Sequence, residues 1–245
     1  MQKNIKLFVC DDYNSMSQKA AEIFAEVLSK NKRGAFGFAT GSTPIGMYKA
    51  LSAMQKGGQI DMTGIRAYNL DEYYPIKKTD PQSYFYFMRK NLFDEINLPV
   101  SSTFIPDGET NDPLKECEEY EKKLQASGGI VLQILGIGVN GHIGFNEPSK
   151  LLTPLTSYQP LAETTIEVNK ANFENPNDIP KNSITMGIHS IMMAKKILLL
   201  ANGKTKAKIL KEALIGPITT MNPASLLQLH QDVTVVADKA AAYFL

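Results

Sequence analysis

The chain has 245 residues, 43% hydrophobic and 21% charged, the make-up of a globular protein able to bury roughly 70–75% of its unfolded surface. Twenty-six basic residues face twenty-five acidic ones, so no net field is available to hold nucleic acid or an anionic membrane nonspecifically. Asp11 and Asp12 interrupt the first apolar run before a signal-peptide core is complete, and the later run Ile197 to Ala201 is far too short to span a bilayer.

In chain order, Ile5 to Val9 forms the first expected strand, and the spacing of Met16, Ala20, Ile23, Phe24 and Val27 the first helix. Ala35 to Ala39 is a second strand, followed by a helix carrying Ile45, Tyr48 and Leu51, and Ala67 to Leu70 a third. Leu114, Cys117 and Tyr120 mark a further helix before the long strand Ile130 to Ile137; Ile197 to Ala201 and Val233 to Ala237 complete the strands. Most of these runs are apolar on both faces, so the alternation predicts an α/β fold, a mainly parallel sheet with helices on both sides. Repeats and low-complexity tracts are absent, and residues 1–245 are expected to be a single catalytic domain. From Asn146 to Lys181 five prolines break any long helix, and about 149–181 is expected to form a lid. Cys10 at a strand end and Cys117 on a charged helix face have neither metal-ligand nor disulfide-framework spacing, which suits a reducing cytoplasm.

Chemically capable residues collect where strands end, the place where open parallel sheets bind ligands. After Ala39 comes Gly41, Ser42, Thr43, small residues whose amides and hydroxyls suit an anion; the bland alternative is a turn that caps the next helix. After Leu70 comes Asp71, where partial desolvation suits a carboxylate to move a carbon-bound proton, although an acid in such a place is more often a cap; its neighbour Glu72 is expected to face elsewhere. After Ile137 comes a glycine-rich stretch with Asn140, His142 and Glu147. A histidine held by a carboxylate has a fixed tautomer and suits acid-base service to oxygen atoms, against the alternative of a structural histidine in a loop. Gly136, Gly138 and Gly141 imitate a dinucleotide fingerprint, but no helical periodicity follows and no later strand closes on an acid. After Ala201, Lys204 and Lys206 open an amphipathic helix, where a cation opposes the helix dipole unless an anion is present. His189 and His230 are expected to be structural, and no pair of histidines has metal-ligand spacing, so no metal is expected.

Taken together, ATGSTP, LDEYY, GHIGFNEP and GKTKA, in this order and across nearly the whole chain, resemble the glucosamine-6-phosphate deaminase family, also called glucosamine-6-phosphate isomerase. The resemblance implies a Rossmann-like sheet and a cofactor-free conversion of glucosamine 6-phosphate and water into fructose 6-phosphate and ammonia. By the same resemblance Asp71 corresponds to the enolisation base, His142 to the ring-opening acid-base and Glu147 to the carboxylate orienting it. Asn140 stands where many members have Asp. Gly41, Ser42, Thr43 and Lys206 correspond to phosphate-binding groups, and Lys170 is the substitute for a lid arginine that the stretch Thr165 to Phe173 lacks. Ser149 to Tyr158 also lacks the arginines of the effector site found in allosterically activated members, so such activation is not expected.

Two competitors remain. A sugar-phosphate sensor without turnover would be expected to carry a helix-turn-helix segment, for which the residues before Ile5 leave no room. A 6-phosphogluconolactonase-type hydrolase shares the fold but does not continue its GH motif as FNEP. The only partner expected is a small amino sugar phosphate, with no nucleic acid and no membrane; glucosamine and galactosamine, and monomer and homo-oligomer, remain open.

Overall fold

The computed structural model describes residues 4–170, 173, 175 and 178–245. Its strands are β1 (Ile5–Cys10), β2 (Ala35–Phe38), β3 (Arg66–Asn69), β4 (Asp71–Tyr74), β5 (Thr103–Phe104), β6 (Ile130–Gly136), β7 (Ser157–Pro160), β8 (Asn182–Thr185), β9 (Ile197–Ala201) and β10 (Val233–Asp238). The helices are α1 (Tyr13–Lys30), α2 (Ile45–Lys56), α3 (Tyr84–Met88), α4 (Pro113–Ala126), α5 (Glu163–Asn169), α6 (Ile188–Met192) and α7 (Ala207–Ile215). Seven strands form one sheet in the order β1-β10-β9-β6-β2-β3-β5, parallel at every pairing.

Sequence patterning explains most of this sheet. β2 and β9 are buried throughout and β6 at all but its last residue, as strands covered on both faces must be. β1 departs from that expectation: it is the edge strand, and Phe8 and Val9 are exposed. Helix α1 is started by Asp12, whose carboxylate accepts the Ser15 amide while Ser15 reaches back to the Asp12 amide, a reciprocal cap. Phe24 of α1 packs on Phe36 and Phe38 of β2, with ring centroids 5.0 and 5.9 Å apart. Cys117 is not on the charged face of its helix: α4 turns Cys117, Tyr120 and Leu124 inward, and burial pushes the thiol up to about 11.

A second sheet of three antiparallel strands, β4-β8-β7, is not visible in the hydrophobic pattern. Each strand is four residues long, and DEYY, SYQP and NSIT carry too few apolar residues to give a period. The link between the sheets is one residue. Leu70 donates its amide to Phe38 of β2 and accepts the Met186 amide beyond β8, so β3 hands the chain directly to β4. Within the expected lid lie β7 and α5. The base of that segment is fastened by Glu121 of α4, which accepts the Thr156 amide and the hydroxyls of Thr156 and Ser190. Among the described residues no helix is long and apolar enough to cross a membrane.

Gly187, between β8 and α6, allows the Pro154–Leu155 backbone to pass close by; a Cβ there would lie 2.3 Å from the Leu155 carbonyl oxygen. Gly187→Ala must shift that backbone. The expected loss is about 1–3 kcal/mol, seen as a Tm lower by about 2–4 °C per kcal/mol; an unchanged melting curve would contradict the packing described.

Candidate active site

The order of the large sheet reverses between β2 and β6: from β2 the chain proceeds to β3 and β5, and from β6 to β9 and β10. Such a switch point leaves a crevice beyond the carboxyl ends of the two strands. The loop after β2 carries Gly41, Ser42 and Thr43, and the loop after β6 carries Asn140, His142 and Glu147.

The loop after β6 is shaped around the imidazole. Gly138 donates to the His142 carbonyl at 2.9 Å and accepts the Gly141 amide at 3.0 Å, closing a tight turn with Gly141 at φ 92°. A Cβ on Gly138 would stand 2.5 Å from three atoms of the His142 ring, so the ring lies directly on the backbone. No helix follows, which removes the dinucleotide alternative. His142 Nδ1 lies 3.1 Å from Glu147 Oε2, and the same oxygen accepts the Asn140 side-chain amide at 2.8 Å. Asn140 Oδ1 in turn accepts the His142 backbone amide at 3.2 Å. Glu147 Oε1 accepts the hydroxyl of Thr165 on α5. Burial alone would raise the Glu147 carboxyl, but its bonds to His142, Thr165 and Asn140 outweigh that and hold it below the ordinary carboxylate range.

Asp71 is in the opposite situation. It opens β4 rather than trailing the preceding strand, is 5% exposed, and has no hydrogen-bond donor among the described residues. Burial, with the neighbouring Glu72 carboxylate adding to it, holds its carboxyl well above the ordinary range. Gly144 faces it: a Cβ there would stand 3.4 Å from Asp71 Oδ2, which brings this carboxylate beside the His142 loop. Glu72 does face elsewhere. Strand alternation turns it to the other side of β4, where its oxygens accept the amides of Tyr73, Tyr84 and Phe85 at the start of α3. Burial still pushes it up to about 7, against the effect of those bonds.

Neither Ser42 nor Thr43 caps α2, whose preceding Pro44 provides no side-chain bond. Thr43 instead donates to Asn202 Oδ1 at 2.7 Å, joining this loop to the turn after β9, while Ser42 is exposed. At the other end of the loop, Thr40 meets the hydroxyl of partly buried Tyr84, which also feels the charge of Asp71. The loop therefore bridges the carboxylate and the turn bearing Lys206. Lys206 sits in a short 3-10 turn before α7 rather than within the helix; it is partly buried, lacks an ion-pair partner among the described residues, and burial lowers its pKa. Lys204 is exposed and lies 5.1 Å from the Tyr243 ring centroid. Lys170, at the C-terminal end of α5, is paired with Glu167 at 2.5 Å.

Sequence reasoning missed Asn202, Thr165 and the aromatic wall of Tyr73, Tyr84 and Phe145, whose rings lie 4.8 to 5.9 Å apart beside Asp71. Asn202 adjoins the GKTKA motif and could have been found there; single threonines and aromatics carry no spacing signal. His230 is structural, with Nε2 2.7 Å from the Ala194 carbonyl. Among the described residues no three His, Cys, Asp or Glu side chains are grouped to hold a metal ion.

Residues 11–236 match the family described as glucosamine-6-phosphate isomerases/6-phosphogluconolactonase. A glucosamine-6-phosphate deaminase of Thermoanaerobacter sp. (strain X514) is 48% identical over 238 residues, covering 97% of this chain and 94% of the relative. One from Halothermothrix orenii is 46% identical over 241 residues, covering 98% and 100%. The solved structure of a monomeric glucosamine-6-phosphate deaminase superposes with a TM-score of 0.95 at 39% identity, covering 98% of this chain and 100% of that one. A 6-phosphogluconolactonase from Trypanosoma cruzi has a TM-score of 0.79 at 21% identity over 100% of this chain and 98% of its own, a likeness of fold alone.

The free energy cost of ionising Asp71 is fully present above its raised folded pKa and vanishes below the unfolded value of about 3.9. Asp71→Asn should therefore stabilise the fold at neutral pH, by about 0.5–2 kcal/mol as for other relieved functional strain, with the gain shrinking as the pH falls towards 4. Thermal melts of both proteins across this range test it; a gain that grows on acidification would refute the assignment.

Proposed function

Since the chain belongs to the family of glucosamine-6-phosphate isomerases and 6-phosphogluconolactonases, we propose that it converts glucosamine 6-phosphate and water into fructose 6-phosphate and ammonia, an isomerase-deaminase of amino sugar catabolism. The relatives at 46 and 48% identity are deaminases, whereas the lactonase likeness is one of fold. The observation that carries the reading is the presence of two acid-base centres of opposite character. His142 is pinned by Glu147, and Asp71 is nearly buried without a donor.

The chemistry needs both. The C2 proton of the closed sugar is not acidic until the ring opens to an aldehyde at C1. In our reading His142, oriented by Glu147 and Asn140, takes the proton of the anomeric C1 hydroxyl and gives it to the ring oxygen as the bond from C1 to that oxygen breaks. Asp71 then takes the C2 proton and returns it to C1, through an enolamine to a ketimine; water adds at C2 and ammonia leaves. A carboxylate with no hydrogen bonds to give up and a raised pKa is suited to carbon acids. Gly41, Ser42, Thr43 and Lys206 hold the phosphate at a distance from the reacting carbons, supplying positioning energy. Lys170, engaged by Glu167, would reach the phosphate only on leaving that partner. We take α5 and its flanks, within 149–181, as a lid on one catalytic domain that works in the cytoplasm.

Incubation with glucosamine 6-phosphate should release ammonia and fructose 6-phosphate in equal amounts, and 6-phosphogluconolactone should not be hydrolysed above its spontaneous rate. Absence of both products would sink the proposal. Asp71→Asn should abolish exchange of the C2 proton. For Lys206→Ala the loss of a charge-assisted bond worth about 1.5–3 kcal/mol should raise KM by about 10- to 150-fold; an unchanged KM would remove Lys206 from the phosphate site.

A further inference from the structure

Glu147 has two carboxylate oxygens, and they are held from different parts of the chain. Oε2 is engaged from its own loop, by His142 and Asn140, whereas Oε1 is engaged by the hydroxyl of Thr165. Thr165 lies in the first turn of α5 and is 5% exposed. Its neighbour Thr164 accepts the same Asn140 amide at 3.4 Å, so one helical turn touches two members of the cluster. In a helix a threonine hydroxyl can turn back to a carbonyl three or four residues earlier; here it is given to a carboxylate. The helix is itself registered against the site: Leu161 and Ile166 on either side of Thr165 pack with Tyr73 of β4 and with Phe145 of the His142 loop.

We propose that Thr165 is a positioning residue for ring opening, locking the Glu147 carboxylate, and through it the His142 ring, when α5 is seated. The physical reason is rotational. The terminal torsion of a glutamate is broad and two-fold, so a carboxylate held at one oxygen alone can swing about that contact. A donor on the second oxygen removes this freedom and fixes which ring nitrogen of His142 carries the proton. The lid helix and the acid-base pair then form one unit: the pair is complete only when the first turn of α5 is in place. This rests on the ring-opening role proposed for His142, and the first measurement below does not depend on that role.

Imidazole nitrogen NMR of the substrate-free protein measures the tautomer directly; with three histidines in the chain, His142→Gln identifies the relevant signals. The wild type should show one tautomer with Nδ1 protonated, Thr165→Val a mixture, and Thr165→Ser the wild-type pattern. An unchanged pattern in Thr165→Val, or a mixture in Thr165→Ser, would overturn the proposal. In turnover of glucosamine 6-phosphate, kcat of Thr165→Val should fall tenfold or more with KM changed less than threefold, and Thr165→Ser should recover to within threefold. With substrate deuterated at C2 the isotope effect on kcat should be no larger for Thr165→Val than for the wild type, because the slowed step is ring opening. A larger isotope effect would put Thr165 with Asp71 and overturn the proposal, as would a loss confined to KM. A wild type that holds one tautomer but does not turn over glucosamine 6-phosphate would instead refute the proposed reaction while leaving Thr165 as the lock on His142.

Discussion

A carboxylate removed from water without a donor is unfavourable, and the fold around Asp71 holds one there. Leu70, bonded to β2 on one side and to the chain after β8 on the other, hands the parallel sheet over to the antiparallel one in a single step. Asp71 is thereby the first residue of a strand whose backbone is paired with Thr185. The small sheet, the aromatic wall of Tyr73, Tyr84 and Phe145, and the approach of Gly144 all shield it from solvent. Strand alternation sends the next acid, Glu72, to the opposite side, where it ties β4 to the start of α3 and so fixes the wall that buries Asp71.

Two carboxylates in one crevice are driven in opposite directions by their surroundings. Glu147 is surrounded by donors and stays ionised below its ordinary range, which suits an orienting anion beside an imidazole. Asp71 is given none, and is held ready to accept a proton. Lys206 completes the electrostatic pattern. This cation is partly buried without an ion-pair partner among the described residues, in a turn joined to the β2 loop by the Thr43–Asn202 bond.

Legibility in the sequence followed hydrophobic contrast. β2, β6, β9 and β10 are runs of apolar residues long enough to announce a parallel sheet, and their order with the intervening helices placed the polar loops at strand ends. The small sheet escaped because its strands are four residues long and largely polar in sequence, although pairing and packing bury most of β4 and β8. Cys117 was misjudged because Glu116, Glu118 and Glu119 flank it, while its helical spacing to Tyr120 and Leu124 turns it inward. Ser42 and Thr43 suggested helix capping as readily as ligand binding; the hydrogen bond of Thr43 to a residue 159 positions away decided against the cap.

The sequence by itself determined the fold class, the loops that meet at the switch point, and the residue types available there, because apolar periodicity and glycine-rich turns are local properties of a chain. Which acid is starved of donors and which is saturated with them was decided only in three dimensions. Asp71 and Glu72 are neighbours in sequence, yet the alternation of β4 puts one beside Gly144 and the other under α3. Glu147 is held both by His142, five residues away, and by Thr165, eighteen away on a separate helix. Burial and hydrogen bonding set the protonation of a group, and both depend on what the tertiary structure packs around it.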